Sequence, residues 1–117
     1  MKEMSKRINV NGKDYRLDFN LNVMEEIQEE YGTIEKWGDL TDGTENGEPN
    51  AKAVIFGFRA MMNEGIDIDN EENGTDTKPL TLKQVGRIIT AIGLSEAATA
   101  LNDIVIDSTK DDEEKNA

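Results

Sequence analysis

The sequence predicts an α+β fold, an N-terminal β-hairpin packed on a mostly α-helical bundle of about four to five helices. Apolar residues alternate with period two on both sides of an Asn-Gly pair near the start of the chain. Every later apolar segment instead repeats at three- and four-residue spacing, the signature of one buried helix face. Asn, Thr and Ser stand before these segments and glycines after them, as helix caps require.

In the hairpin, Asn11-Gly12 suits a type I′ turn, which needs positive φ at both central positions. That turn pairs Val10 with Lys13, Ile8 with Tyr15 and Lys6 with Leu17. It puts Ile8, Val10, Tyr15, Leu17 and Phe19 on one face. A slip of one residue would expose the whole set, so turn and pattern select the same register. A lone hairpin is marginal in water, and this one is expected to lie against the helices or a partner.

The first helix starts at Asn20 or Asn22, the latter forming a capping-box pattern with Glu25. Its apolar stripe is Val23, Met24, Ile27 and Tyr31, and Gly32 is its C′ residue; Glu25, Glu26, Glu29 and Glu30 take the opposite side. Thr33 caps a short second helix with Ile34, Trp37 and Leu40, followed by a polar loop, TDGTENGEPN, expected to be mobile. Asn50 caps a third helix bearing Ala51, Val54, Ile55, Phe58, Met61 and Met62 and ending at Gly65. An acidic loop from Asp67 to Pro79 leads to a fourth helix. Thr81 and Gln84 form its capping box, Leu82, Val85, Ile88, Ile89 and Ile92 its apolar face, and Gly93 its end. Ser95 caps a fifth helix with Ala98, Leu101, Ile104 and Val105 inward. The domain is expected to span residues 1–106. Residues 107–117, DSTKDDEEKNA, are expected to form a disordered acidic tail with too little apolar area to offset ordering entropy.

Composition narrows the function. A chain of 117 residues supports one domain, and 36% hydrophobic with 5% aromatic residues predicts a modest aliphatic core. A formal charge of −12 argues against nucleic-acid binding through phosphates. No apolar run approaches a membrane span, and no hydrophobic segment follows MKEMSKR to make a signal peptide, so a cytoplasmic location is expected. The chain has no cysteine and no histidine, which removes disulfides, thiolate metal sites and the commonest general base. Glu25/Glu29 and Glu26/Glu30 lie one turn apart on a polar face with no apolar pocket to shift a pKa. Neither a P-loop nor a dinucleotide fingerprint occurs. Asp69 to Gly74 imitates the start of an EF-hand loop, but Leu80 stands where the bidentate glutamate belongs, so the stretch reads as a solvated loop. The expectation is no enzyme, no cofactor and no metal site.

Ordered pieces of the chain resemble a known family. Asn11-Gly12-Lys13-Asp14-Tyr15-Arg16-Leu17, the run Leu21 to Gly32, Trp37, Asn63-Glu64-Gly65 and Leu80 to Ile89 are similar to motifs of the phage tail assembly chaperone family of long-tailed phages and prophages of Gram-positive bacteria. The resemblance implies a protein that keeps the tape-measure protein soluble and recruits tail-tube subunits, the major tail protein, during tail building; a homo-oligomer is compatible with it. It further implies a minus-one ribosomal slip near the end of the gene, which Glu114-Lys115-Asn116 would permit if encoded as GAA-AAA-AAC. Phe56, Met61 and Trp37 are the candidate partner-binding residues: methionine faces adapt to partners, and Phe56 lies off the apolar stripe of the third helix. The alternative is an acidic nucleic-acid mimic that inhibits a DNA-binding protein. Its acidic residues are interrupted by basic ones, where a mimic needs longer arrays.

Overall fold

Asn11 and Gly12 turn the chain with φ of 53° and 85°, the double left-handed geometry of the expected hairpin turn. The strands β1 (Met4–Val10) and β2 (Lys13–Phe19) pair antiparallel, with Val10 opposite Lys13, Ile8 opposite Tyr15 and Lys6 opposite Leu17. The structure is a computed structural model in which residues 3–115 are described, with side chains through Thr109. Helices α1 (Leu21–Tyr31), α2 (Ile34–Thr41), α3 (Ala51–Asn73), α4 (Leu82–Ile92) and α5 (Leu94–Lys115) follow, so the chain is an α+β hairpin-plus-bundle. No single helix among the described residues is long and apolar enough to cross a membrane.

Helix α3 is the axle. It touches β2, α1, α2, α4 and α5, because buried side chains leave it in several directions: Val54, Phe58, Met61 and Met62 all lie in the core. Leu17 and Phe19 bring the hairpin onto that core, while Ile8, Val10 and Tyr15 are only partly covered. Removing the apolar area of side chains such as Phe19 and Leu17 from water stabilises the fold by about 1.5–3 kcal/mol each. Two glycines admit close neighbours to α3. A Cβ at Gly57 would lie 2.4 Å from Cζ2 of Trp37, whose indole Nε1 donates to the Ala53 carbonyl at 3.0 Å. A Cβ at Gly65 would lie 2.9 Å from the Arg16 backbone oxygen.

Helix bounds and caps follow the sequence closely, with three differences. Of the two candidate caps for α1, Asn20 is the one used; its side chain accepts from the Val23 amide, and Asn22 sits within the helix. Helix α3 does not stop at Gly65 but continues to Asn73 and ends on Gly74 in the left-handed conformation. Half of the expected acidic loop is therefore helix, including Asp69 to Asn73. The reason is tertiary: Gly65 is needed for the passage of β2, and Asp69 beyond it holds Arg16. Helix α5 begins at Leu94 without a Ser95 cap, since the Gly93 carbonyl already accepts from the Ala97 amide. Its backbone runs past Asp107, where disorder was expected, through Lys115. Ser108 is fully buried on the same stripe as Leu101 and Ile104 and donates to the Val105 carbonyl. The slippage site includes Asn116, which lies outside the described residues.

Candidate functional site

Two places on α3 gather unusual groups. At the first, Arg16 on β2 donates through Nε and Nη2 to the two carboxylate oxygens of Asp18, at 2.6 and 3.0 Å, and through Nη1 to Asp69 at 2.7 Å. Asp18 is fully buried on the strand face opposite Leu17 and Phe19. The hydrogen bond to Asp18 raises the Arg16 pKa above its ordinary value against the opposing effect of desolvation, and Asp69 adds to the rise. Beside it, Glu64 accepts from the amides of Asn20 and Asn22, at 2.5 and 3.0 Å. Asn63 pairs with Leu80 both ways, donating to its carbonyl at 3.1 Å and accepting from its amide at 2.8 Å. Asn63-Glu64-Gly65 thus joins α3 to the start of α4, to α1 and to β2 in three consecutive residues. The joint is structural, with its donors and acceptors matched.

The second place is a groove of about 620 Å³ between α3 and α4, bordered by α1. Its floor is Ile55, Phe56, Leu82 and Gly86, and its rim carries Lys52, Arg59, Lys83 and Glu30. Residues 52, 55, 56 and 59 share one helical stripe, which is why α3 presents two apolar side chains between two cations. Leu82, the first residue of α4, is 46% exposed, one of the few large apolar side chains so open. Arg59 lies over the Phe56 ring at 5.6 Å, and Tyr31 meets the same ring edge-on at 5.5 Å.

Polar matching is incomplete here. Arg59 Nε and the Tyr31 hydroxyl are buried without a hydrogen-bond partner among the described residues. The ion pairs Arg59–Glu26 and Lys52–Glu30 are both 3.9 Å long, beyond hydrogen-bond reach and open to solvent. Burial, with the nearby Glu30 charge as the smaller cause, raises the Tyr31 pKa.

Of the three residues expected at a partner surface, one is accessible to solvent and two are buried. Phe56 lies in the groove, partly exposed. Trp37 and Met61 are 0% exposed and belong to the core, Trp37 because Gly57 opens a slot for its ring and Met61 because it faces inward on the same side of α3 as Val54 and Phe58. Sequence reasoning missed Lys52, Arg59, Lys83 and Leu82. A signal was available on α3, since cations seven residues apart with Phe56 between them form a distinct face in an acidic chain. The contribution of α4 was not visible, because it depends on the angle at which two helices meet. The chain matches no family model, no curated protein and no solved structure.

Proposed function

We propose that this protein is a phage tail assembly chaperone: a non-enzymatic binding protein of the host cytoplasm that keeps the tape-measure protein soluble and recruits tail-tube subunits. The observation that carries this reading is the apolar groove on a chain of net charge −12. Such a protein can cover apolar helical surface of a partner while its own acidic exterior keeps the complex in solution. The motif resemblance is its other support, and the matched residues Asn63-Glu64-Gly65 and Arg16 occupy joints on which the fold depends.

The test is co-expression with the tape-measure protein encoded in the same gene cluster. The soluble fraction of that protein should rise when the chain is present, and the two should co-purify. An unchanged soluble fraction, or co-purification with a DNA-binding enzyme instead, would overturn the reading.

A further inference from the structure

We propose that the α3–α4 groove is the docking site for a short amphipathic helix of a partner protein, with two apolar anchors flanked by carboxylates. The proposal rests on reading the chain as a binding protein and adds the place and chemistry of binding.

Shape and length favour a helix. From Lys52 to Arg59 the groove follows α3 for seven residues, about 10 Å at the helical rise, or two turns. Two turns of a partner helix present anchors at i and i+3 or i+4, the spacing by which helices seat in apolar grooves. The floor offers matching surface in Phe56 with Ile55, and in Leu82 beside Gly86, where the absent side chain keeps the groove open. Leu82 has no role in the core that would explain a leucine there, as it is nearly half exposed.

Charge sets the flanks. Three of the four charged rim residues are cations, Lys52, Arg59 and Lys83, in a chain whose acidic residues outnumber basic ones 25 to 13. The guanidinium carbon of Arg59 lies 5.6 Å from the Phe56 ring centre, and its ion-pair partner among the described residues, Glu26, is 3.9 Å away. Its Nη donors, held by Glu26 only at 3.9 Å, can therefore take a carboxylate of a partner. Glu26 and Glu30 balance Arg59 and Lys52 only through loose 3.9 Å pairs, so an acidic segment gains attraction from all three cations whereas a basic one meets like charge.

The proposal can be tested with the full chain and two synthetic helical peptides. Both carry leucines at i and i+4; one has glutamates flanking them and the other has lysines at the same places. Backbone NMR with labelled protein should show the glutamate peptide shifting the amides of Ile55, Phe56, Leu82 and Gly86, with the lysine peptide binding at least about tenfold more weakly. The double substitution Lys52→Glu with Lys83→Glu changes two exposed side chains and should reverse the preference. Leu82→Gln should weaken both peptides while leaving the thermal transition in place. Equal binding of the two peptides, no binding of either, shifts elsewhere on the surface, or concentration-dependent dimerisation abolished by Leu82→Gln would each overturn the proposal. A Leu82→Gln variant that solubilises the tape measure as well as the wild type does would sink the groove and leave the chaperone reading standing. Groove binding by peptide without any effect on tape-measure solubility would do the reverse.

Discussion

The β2–α3 joint and the α3–α4 groove lie along one helix and use the same materials, arginine, carboxylates and apolar side chains, to opposite ends. At the joint, Arg16 has hydrogen bonds of 2.6 to 3.0 Å to two aspartates, and the neighbouring backbone is so close that only glycine fits at 65. At the groove, Arg59 has among the described residues an ion pair at 3.9 Å and a buried nitrogen without an acceptor, beside an apolar floor open to water. Burial with matched partners fixes geometry, whereas partial burial with unmatched donors keeps surface for something else. The difference separates what holds this fold from what the proposed docking of a partner would use.

The comparison is broken most directly at the joint. Asp18→Ala removes the main partner of a largely buried guanidinium and is expected to destabilise by about 3–5 kcal/mol, read as a large drop in the urea midpoint. A midpoint shift below about 1 kcal/mol would mean the joint is no firmer than a surface pair. Leu17→Asp, on the other face of the same strand, should cost a few kcal/mol by placing an unpaired charge in the core, about the range for buried charges.

The glycine contacts come next. Gly65→Ala and Gly57→Ala each gain helix propensity of about 1 kcal/mol but must displace a strand backbone or a buried indole. A net loss of about 1–3 kcal/mol is expected. For Gly57→Ala it should be accompanied by a change in emission of the sole tryptophan, Trp37. Stabilisation by either change would show that the close approach is not as tight as the geometry requires.

Tyr31 sharpens the groove side. Its folded pKa is raised by burial, so the phenolate is disfavoured in the native state. Such a group contributes stability in full below its unfolded pKa, about 10, and loses it as pH rises through the folded value. Stability should therefore fall on the alkaline side of about pH 10, and Tyr31→Phe should flatten that fall. At neutral pH the same substitution deletes a hydroxyl that has no partner, so its effect should stay within about 1 kcal/mol. A steeper alkaline loss in the variant would contradict the assignment. The smallest effect belongs to the rim: Lys52→Glu with Lys83→Glu should move the thermal midpoint by less than the equivalent of about 0.5 kcal/mol, since exposed charges contribute little to folding.

What the sequence reveals follows the range of the interactions. The hairpin register, the Thr33, Asn50 and Thr81 caps and the Gly32, Gly74 and Gly93 conformations are decided within a few residues, and all but the role of Gly74 could be read in advance. Gly65 was read as a helix end because a glycine in a helical pattern has that local meaning; its actual reason, the Arg16 backbone, is 49 positions away (65 minus 16). The buried Asp18 was hidden for the same cause, as alternation assigns it to the polar face until α3 covers that face too. Ser108 shows a different limit: the stripe of Leu101 and Ile104 continues onto it, but a polar composition concealed the continuation. The groove was half visible, through Phe56, because one wall lies on one helix and the other on a neighbour.

The contact between Arg16 and Asp69 has a consequence for synthesis on the ribosome. The two residues are 53 positions apart, so at roughly 5–20 residues per second the arginine waits about 3–10 seconds before its distant aspartate has been made. During that interval the hairpin can close its own turn, but the surface it needs on α3 does not yet exist. Asp18 already sits two residues from Arg16 and can neutralise it in the meantime. The nascent strand therefore carries a counter-ion for Arg16 of its own before the axle arrives.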